Sequence, residues 1–315
     1  MARAGLLCIG LTTLDVIALP IDALPENEGT TLIKRIVAIP AGTAGGAAMV
    51  AAALGVETYL AASIGGDLVG RFVRMALEEQ GVNTSLLEVM PEMPTSATVL
   101  AIDSKGRRPN FHALGAGFFA HVSEETRAAA KRVRFLHYAG IGGPKLDGGP
   151  GVELVKTARA AGAIVTCDLI APQPRTIEEL RLILPHVNYF LPSSTEALML
   201  SGKSHLAEAA RFFVDIGAEA CVIKDGARGS QALIGGKEFR LPAYDITPID
   251  TTSCGDSFCA GFIVGLDRDF EPVEALRFGT AVAALVAQGP GTLGLVTDFD
   301  GARRAMQTMK LRDAS

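Results

Sequence analysis

From about Val133 onward, short β-rich runs alternate with helical patterns, and this alternation limits the chain to few architectures. Phe135 to Tyr138, Ile164 to Cys167, Tyr189 to Leu191 and Ala220 to Ile223 read as buried strands. Val152 to Ala161, Thr176 to Leu184 and Leu206 to Ile216 read as the helices between them. Strands joined through helices need crossover connections, so they run parallel in one sheet with helices packed on it. The fold class is therefore α/β, with a mostly parallel central sheet covered by helices. The N-terminal third departs from this rhythm. Ala97 to Asp103 alternates inward and outward residues and then enters Lys105-Gly106-Arg107, a hairpin-like turn. Together with Thr30 to Ile39 it is expected to form a small β-sheet lid, built from about 13–38 and 96–113. No repeat or low-complexity linker divides the sequence, so 1–315 is read as a single domain with the lid interleaved.

Composition narrows the partners. Of 315 residues, 49% are hydrophobic, enough for a large core. Lys and Arg number 29 against 34 Asp and Glu, and a net charge of -5 argues against a nucleic-acid partner, which needs a broad basic face. The apolar stretch Ala4 to Leu11 is cut short by Asp15 without a cleavage-site pattern and reads as a first strand. The uncharged run Ile36 to Val56 is built from Ala and Gly and carries a Pro, too weak for a membrane span, so no membrane partner is expected. Cys8, Cys167, Cys221, Cys254 and Cys259 form an odd set without a CxxC pair. That suggests neither a disulfide framework nor a zinc knuckle, and fits a reducing, cytoplasmic setting.

Several patterns imitate chemistry without its context. Gly202-Lys203-Ser204 is the tail of a P-loop, but Ala197 stands where the first Gly belongs. Gly289-Pro290-Gly291-Thr292-Leu293-Gly294 matches GxGxxG yet follows a helix, whereas the dinucleotide fingerprint follows a strand. A dinucleotide-dependent oxidoreductase rests on nothing else. The five His residues lack ligand spacing, and no GxSxG elbow appears.

One segment stands apart, Asp250-Thr251-Thr252-Ser253-Cys254-Gly255-Asp256-Ser257-Phe258. Phe258, Phe262, Ile263 and Leu266 follow at helical spacing, which makes Asp256 the N-cap or a first-turn carboxylate of a buried helix. A helix N-terminus offers unpaired N–H groups and a positive dipole end to an anion such as phosphate. A carboxylate beside such an anion site is electrostatically wasteful unless it takes a proton from a hydroxyl about to attack the anion. A plain helix cap is the alternative.

This segment resembles the signature of the ribokinase-like (PfkB) carbohydrate kinase family, Asp-Thr-x-Gly-Ala-Gly-Asp-[Ser/Thr]-Phe, with Ser253 and Cys254 in place of the usual Gly and Ala. Other resemblances follow in order along the chain. Gly10 to Asp15 is similar to the family's first strand and sugar-binding Asp, and Ala41-Gly42-Thr43-Ala44-Gly45-Gly46 falls where the family has Gly-Gly-x-x-x-Asn. Ile64-Gly65-Gly66-Asp67 resembles its Gly-x-Asp segment, Pro192-Ser193-Ser194-Thr195-Glu196 its Pro-Asn-x-x-Glu, and Lys224-Asp225-Gly226-Ala227-Arg228-Gly229 its Lys-x-Gly-x-x-Gly turn.

The resemblance implies a three-layer ribokinase-like fold and an ATP-dependent phosphotransferase acting on a hydroxyl of a small sugar or sugar derivative. Asp256 would be the general base, and the backbone around Ser253, Cys254 and Gly255 the anion hole, with the N–H of Asp256 contributing. Asp15, Gly42 and Gly46 would face the sugar. Ser193, Glu196, Lys224, Gly226, Gly229, Thr280 and Ala284 would face the nucleotide, with Glu196 acting on Mg²⁺ through water. Asp250 and Thr252 stand where cation-activated members hold K⁺. The chain departs from the family most on the sugar side. Gly46 lacks the amide of the family Asn and is expected to leave extra space, while Gly140 stands where ribokinase has an acidic contact. The acceptor could then be a larger sugar, a sugar acid or a nucleoside, with Arg107, Arg108 and Asn110 of the lid near it. A nucleoside kinase and a non-catalytic sugar or nucleotide sensor are the alternatives. At a helix N-terminus the Cys254 thiol is expected to have a lowered pKa. An open lid edge suggests a homodimer.

Overall fold

The computed structural model describes residues 5–313. In chain order the strands are β1 (Leu6–Gly10), β2 (Thr13–Leu19), β3 (Arg35–Ala41), β4 (Thr58–Gly65), β5 (Val82–Asn83), β6 (Leu87–Met90), β7 (Ala97–Ala101), β8 (Asn110–Ala113), β9 (Phe135–Ile141), β10 (Ile164–Leu169), β11 (Tyr189–Phe190), β12 (Ala220–Lys224), β13 (Ser230–Ile234) and β14 (Lys237–Leu241). The helices are α1 (Thr43–Ala53), α2 (Leu68–Glu79), α3 (Glu124–Ala130), α4 (Pro150–Ala160), α5 (Thr176–Ile183), α6 (Ser194–Ser201), α7 (Leu206–Asp215), α8 (Cys254–Asp267), α9 (Pro272–Ala287) and α10 (Phe299–Thr308).

The large sheet runs β14-β13-β12-β11-β10-β9-β1-β4-β5, with β6 also on β4. It is parallel from β12 to β5, and the β13–β14 hairpin closes one end antiparallel. Alternation along the strands feeds two cores. On β1, Leu6 and Cys8 enter the core shared with α1, α8 and α9, while Leu7 and Ile9 enter the one shared with α4, α5 and α7. The four strands expected after Val133 and the helices between them are all present, shifted by only one to three residues at their ends.

The lid is a separate sheet ordered β3-β2-β7-β8. Its β3 begins at Arg35 rather than at Thr30, because β2 stops at Leu19, the partner of Arg35, before Pro20, which has no N–H to donate. Register sorts its faces. Ile39, Asp15, Thr98 and His112 form one row across the sheet, on the face that also carries the small apolar cluster of Ile17, Leu100 and Ile102. The next row, Ala38, Val16, Val99 and Phe111, lies on the opposite face, where Val99 is 47% and Phe111 70% exposed. At the base of the lid the Asp67 carboxylate caps α2 by accepting from Gly70 N (2.8 Å) and also takes bonds from Thr95 N (2.9 Å) and Thr95 Oγ1 (2.6 Å).

The uncharged run Ile36 to Val56 becomes β3 and the buried helix α1, separated by Gly42 at φ +94°. Among the described residues no helix is long and apolar enough to cross a membrane. The Ala- and Gly-rich surface of α1 admits α8, and α8 in turn rests on α9 through glycines. A β-carbon on Gly261 would lie 2.9 Å from Gly279 Cα and 2.9 Å from Val282 Cβ. Gly261→Val should therefore push α8 and α9 apart and destabilise the fold by about 1–3 kcal/mol, the usual range for overpacking. A denaturant midpoint unchanged from wild type would show that the two helices do not rely on this contact.

Candidate active site

Helix α8 opens the site. Its N-cap is Ser253, held in the left-handed region at φ 55° and making no side-chain cap bond. The N–H groups of Cys254, Gly255 and Asp256 therefore have no helical carbonyl ahead of them. Asp256 lies in the first turn and is not the cap. Its neighbours divide into two sides. A β-carbon on Gly46 of α1 would sit 3.3 Å from Asp256 Oδ2, whereas one on Gly255 would face Lys224 Nζ at 3.7 Å.

Lys224, at the end of β12, donates to Asp168 Oδ2 at 2.5 Å and lies 3.5 Å from Cys259 Sγ. Burial alone would lower its pKa, but the charge and hydrogen bond of Asp168, with further negative neighbours including Glu196, together outweigh burial and hold the ammonium charged. The second Asp168 oxygen accepts from Leu169 N at 2.9 Å. Beneath this pair His137 is fully buried, its Nδ1 sharing a 2.8 Å hydrogen bond with Thr166 Oγ1, and burial pushes it down to about 4, so it is neutral. Burial, with the Asp168 charge adding to it, pushes Asp256 up to about 7, against the opposing charge of Lys224. Asp15 faces the same region from the lid. It is 5% exposed, its Oδ1 has no protein partner, and burial raises it to about 6. Arg108 reaches down from the lid turn to place Nη1 3.4 Å from Thr252 Oγ1, and its charge acts on both Asp15 and Cys254.

On the Lys224 side, Ser193 caps α6 and pairs with Glu196 in a capping box. Glu196 Oε2 accepts from Ser193 N (2.7 Å) and Ser193 Oγ (2.6 Å), which fixes the carboxylate and leaves Oε1 outside the box. Ser193 and Lys224 are joined by a β-bridge, so the ends of β11 and β12 present Glu196 and Lys224 together. Gly226 is exposed, with open space beside its Cα. Gly229, by contrast, is pressed against Leu241 O, where a β-carbon would come within 2.0 Å, so the hairpin requires its glycine. Thr280 and Ala284 are buried on α9; Thr280 Oγ1 bonds back to Leu276 O, and Ala284 packs with Tyr244 and Ala281.

Against this geometry, the family model of the pfkB family carbohydrate kinases matches residues 3–297. The chain belongs to the pfkB family. A ribokinase of Haemophilus influenzae is 29% identical over 297 residues, 90% of this chain and 92% of the relative. A nucleoside kinase of Methanothermobacter thermautotrophicus is 25% identical over 304 residues, 93% and 92% of the two chains. Among solved structures, a putative ribokinase II of E. coli in complex with ATP and Mg²⁺ superposes with a TM-score of 0.81 at 20% identity, over 96% of this chain and 99% of that one. The fold of this pfkB kinase is thus ribokinase-like, an α/β sheet with a separate small sheet.

The structure brings Asp15, Glu196 and Lys224 of this carbohydrate kinase within electrostatic reach of Asp256. It adds Asp168, which the sequence reading missed. The available signal was an acid at the C-terminal end of a parallel strand, where open α/β sheets place their ligand crevices. Two expectations are corrected. The Cys254 thiol does not gain from the helix N-terminus: it turns toward Ala283 O (3.7 Å), and burial pushes it up to about 12. Gly46 does not open extra space either, since Asp256 and Ser253 fill what lies across from it. Asp250 is buried, and its carboxylate joins two loops, accepting from Thr252 N (2.8 Å) and Gly291 N (2.9 Å).

Proposed function

We propose that this pfkB kinase transfers the γ-phosphoryl group of ATP to a hydroxyl of a small sugar or sugar derivative, with Asp256 as general base. The observation that carries this reading is the position of Asp256, a carboxylate raised to about 7 in the same helical turn as three free N–H groups. At neutral pH such a carboxylate is poised to accept a proton. The acceptor oxygen attacks the γ-phosphorus, its proton passes to Asp256, and the bond to the bridging oxygen breaks to release ADP. The N–H groups of Cys254, Gly255 and Asp256, together with Lys224 on the Gly255 side, stabilise the charge on the transferring group. Bound Mg²⁺ would supply charge neutralisation on the phosphates, and Glu196, held by Ser193, is the residue to hold its water shell. Gly226 lies open at the nucleotide edge, while Thr280 and Ala284 border it from α9. Asp250 ties the Thr252 and Gly291 segments together and keeps lone pairs for a K⁺ ion held with their carbonyls. The setting proposed is cytoplasmic.

Asp256→Asn is expected to lower kcat by roughly 10²- to 10⁴-fold with little change in ATP affinity. In the wild type, kcat/KM should fall about tenfold per pH unit below about 7, as the base is protonated. The linkage has the opposite effect on folding. Because the folded-state pKa lies above the usual carboxylate value, stability falls as pH rises from about 4 to about 7, so the Asn variant should melt a few degrees higher at pH 8. A variant with wild-type turnover would exclude Asp256 as the base.

Arg108 favours a second reading, that the acceptor carries its own negative charge. It is the lid cation whose charge reaches Asp15, and Gly46 offers no polar side chain beside Asp256. ATP consumption measured over ribose, fructose, a nucleoside, a sugar acid and fructose 6-phosphate should favour an anionic acceptor, and Arg108→Gln should raise its KM about tenfold or more while sparing neutral sugars. Equal losses for charged and neutral acceptors would refute this role. The exposed lid row of Val99 and Phe111 supports a homodimer through that face, which Phe111→Glu should convert to monomer in sedimentation experiments; a wild-type monomer would end the idea.

A further inference from the structure

Ser253 adopts a conformation that L-residues other than Asn and Asp rarely occupy, and glycine would relieve it. Serine at a helix N-cap normally repays its presence by capping, yet this one makes no cap bond. The left-handed backbone turns the side chain away from its own helix. Its Oγ lies 3.5 Å from where a β-carbon on Gly46 would be, and Asp256 Oδ2 lies 3.3 Å from the same point. The hydroxyl is half-buried, on the Asp256 side of the catalytic turn, while the opposite side of that turn faces Lys224.

We propose that Ser253 is an acceptor-specificity residue, its hydroxyl bonding a hydroxyl of the acceptor next to the one that reacts, from a position it can take up because residue 46 is glycine. Gly46 and Ser253 then form a matched pair. A side chain at 46 and a hydroxyl at 253 compete for one volume against Asp256, so this chain carries its polar group on the catalytic turn instead of on α1. The proposal rests on the reading that the acceptor lies on the Gly46 side, but it does not require Asp256 to be the base.

The test is a double-mutant cycle of Gly46→Asn and Ser253→Gly, with Ser253→Ala beside it, read by thermal melting and by kinetics on the same acceptor panel. Gly46→Asn alone should lower the melting temperature and cut kcat/KM at least tenfold. Adding Ser253→Gly should restore both in large part, a non-additivity that needs no acceptor to be seen in melting. Ser253→Ala should raise the acceptor KM about tenfold and leave the KM for ATP within twofold. Additive effects in melting would overturn the matched pair. A Ser253→Ala variant that raises the ATP KM or lowers kcat without changing the acceptor KM would place the hydroxyl on the phosphoryl group and overturn the proposal. A loss of turnover in Asp256→Asn smaller than tenfold would count against the base alone and leave the Ser253 result standing.

Discussion

Carboxylates from four parts of the chain converge on the N-terminus of one buried helix, and a single buried ammonium balances them. Asp256 comes from α8, Asp168 from β10, Glu196 from α6 and Asp15 from the lid, with Lys224 between the first three. Desolvated charges of one sign are costly, and removing the partner of a buried ion strands the other at a cost of about 3–5 kcal/mol. The Lys224–Asp168 pair at 2.5 Å is therefore the contact on which the site's other carboxylates depend. It also bears on why Asp256 is raised only to about 7, since burial and, after it, Asp168 push its pKa up while Lys224 pulls it down.

That arrangement follows from topology. β10 and β12 run parallel in one sheet and end on the same edge, so residues 168 and 224 meet although 56 positions separate them. α8 reaches the same edge from the helical layer because α1 is almost free of bulky side chains and α9 meets α8 at glycines. The acidic balance of the whole chain says little about this place. In the proposed mechanism, attraction for a phosphate would come from free N–H groups and one lysine, where local geometry outweighs a net charge of -5 spread over the surface.

Much of this was legible in the sequence, for identifiable reasons. The four strands after Val133 and the helix following Asp256 announce themselves by spacing, because burial repeats with the period of the element. Asp256, Asp15, Glu196 and Lys224 stood in ordered local patterns. Asp168 did not, since its partner is distant in sequence and only the sheet brings the two together. The thiol of Cys254 was misjudged for a related reason: a helix end lowers a thiol pKa, but the direction of the side chain decides, and here it points into the α8–α9 contact. Gly46 was read as a gap because glycine removes a side chain, whereas the structure shows that the neighbours had moved in.

The row Ile39, Asp15, Thr98 and His112 has a consequence for selectivity. Asp15 sits on the lid sheet, while Asp256 lies on α8 in the body, so the groups proposed to grip the acceptor belong to two separate layers of the fold. An acceptor long enough to touch both would bridge them, and a water molecule would be too small to do so. Discrimination against wasteful hydrolysis would then be a matter of reach, measured across the base of the lid at Asp67 and Thr95, rather than of chemistry at the phosphorus.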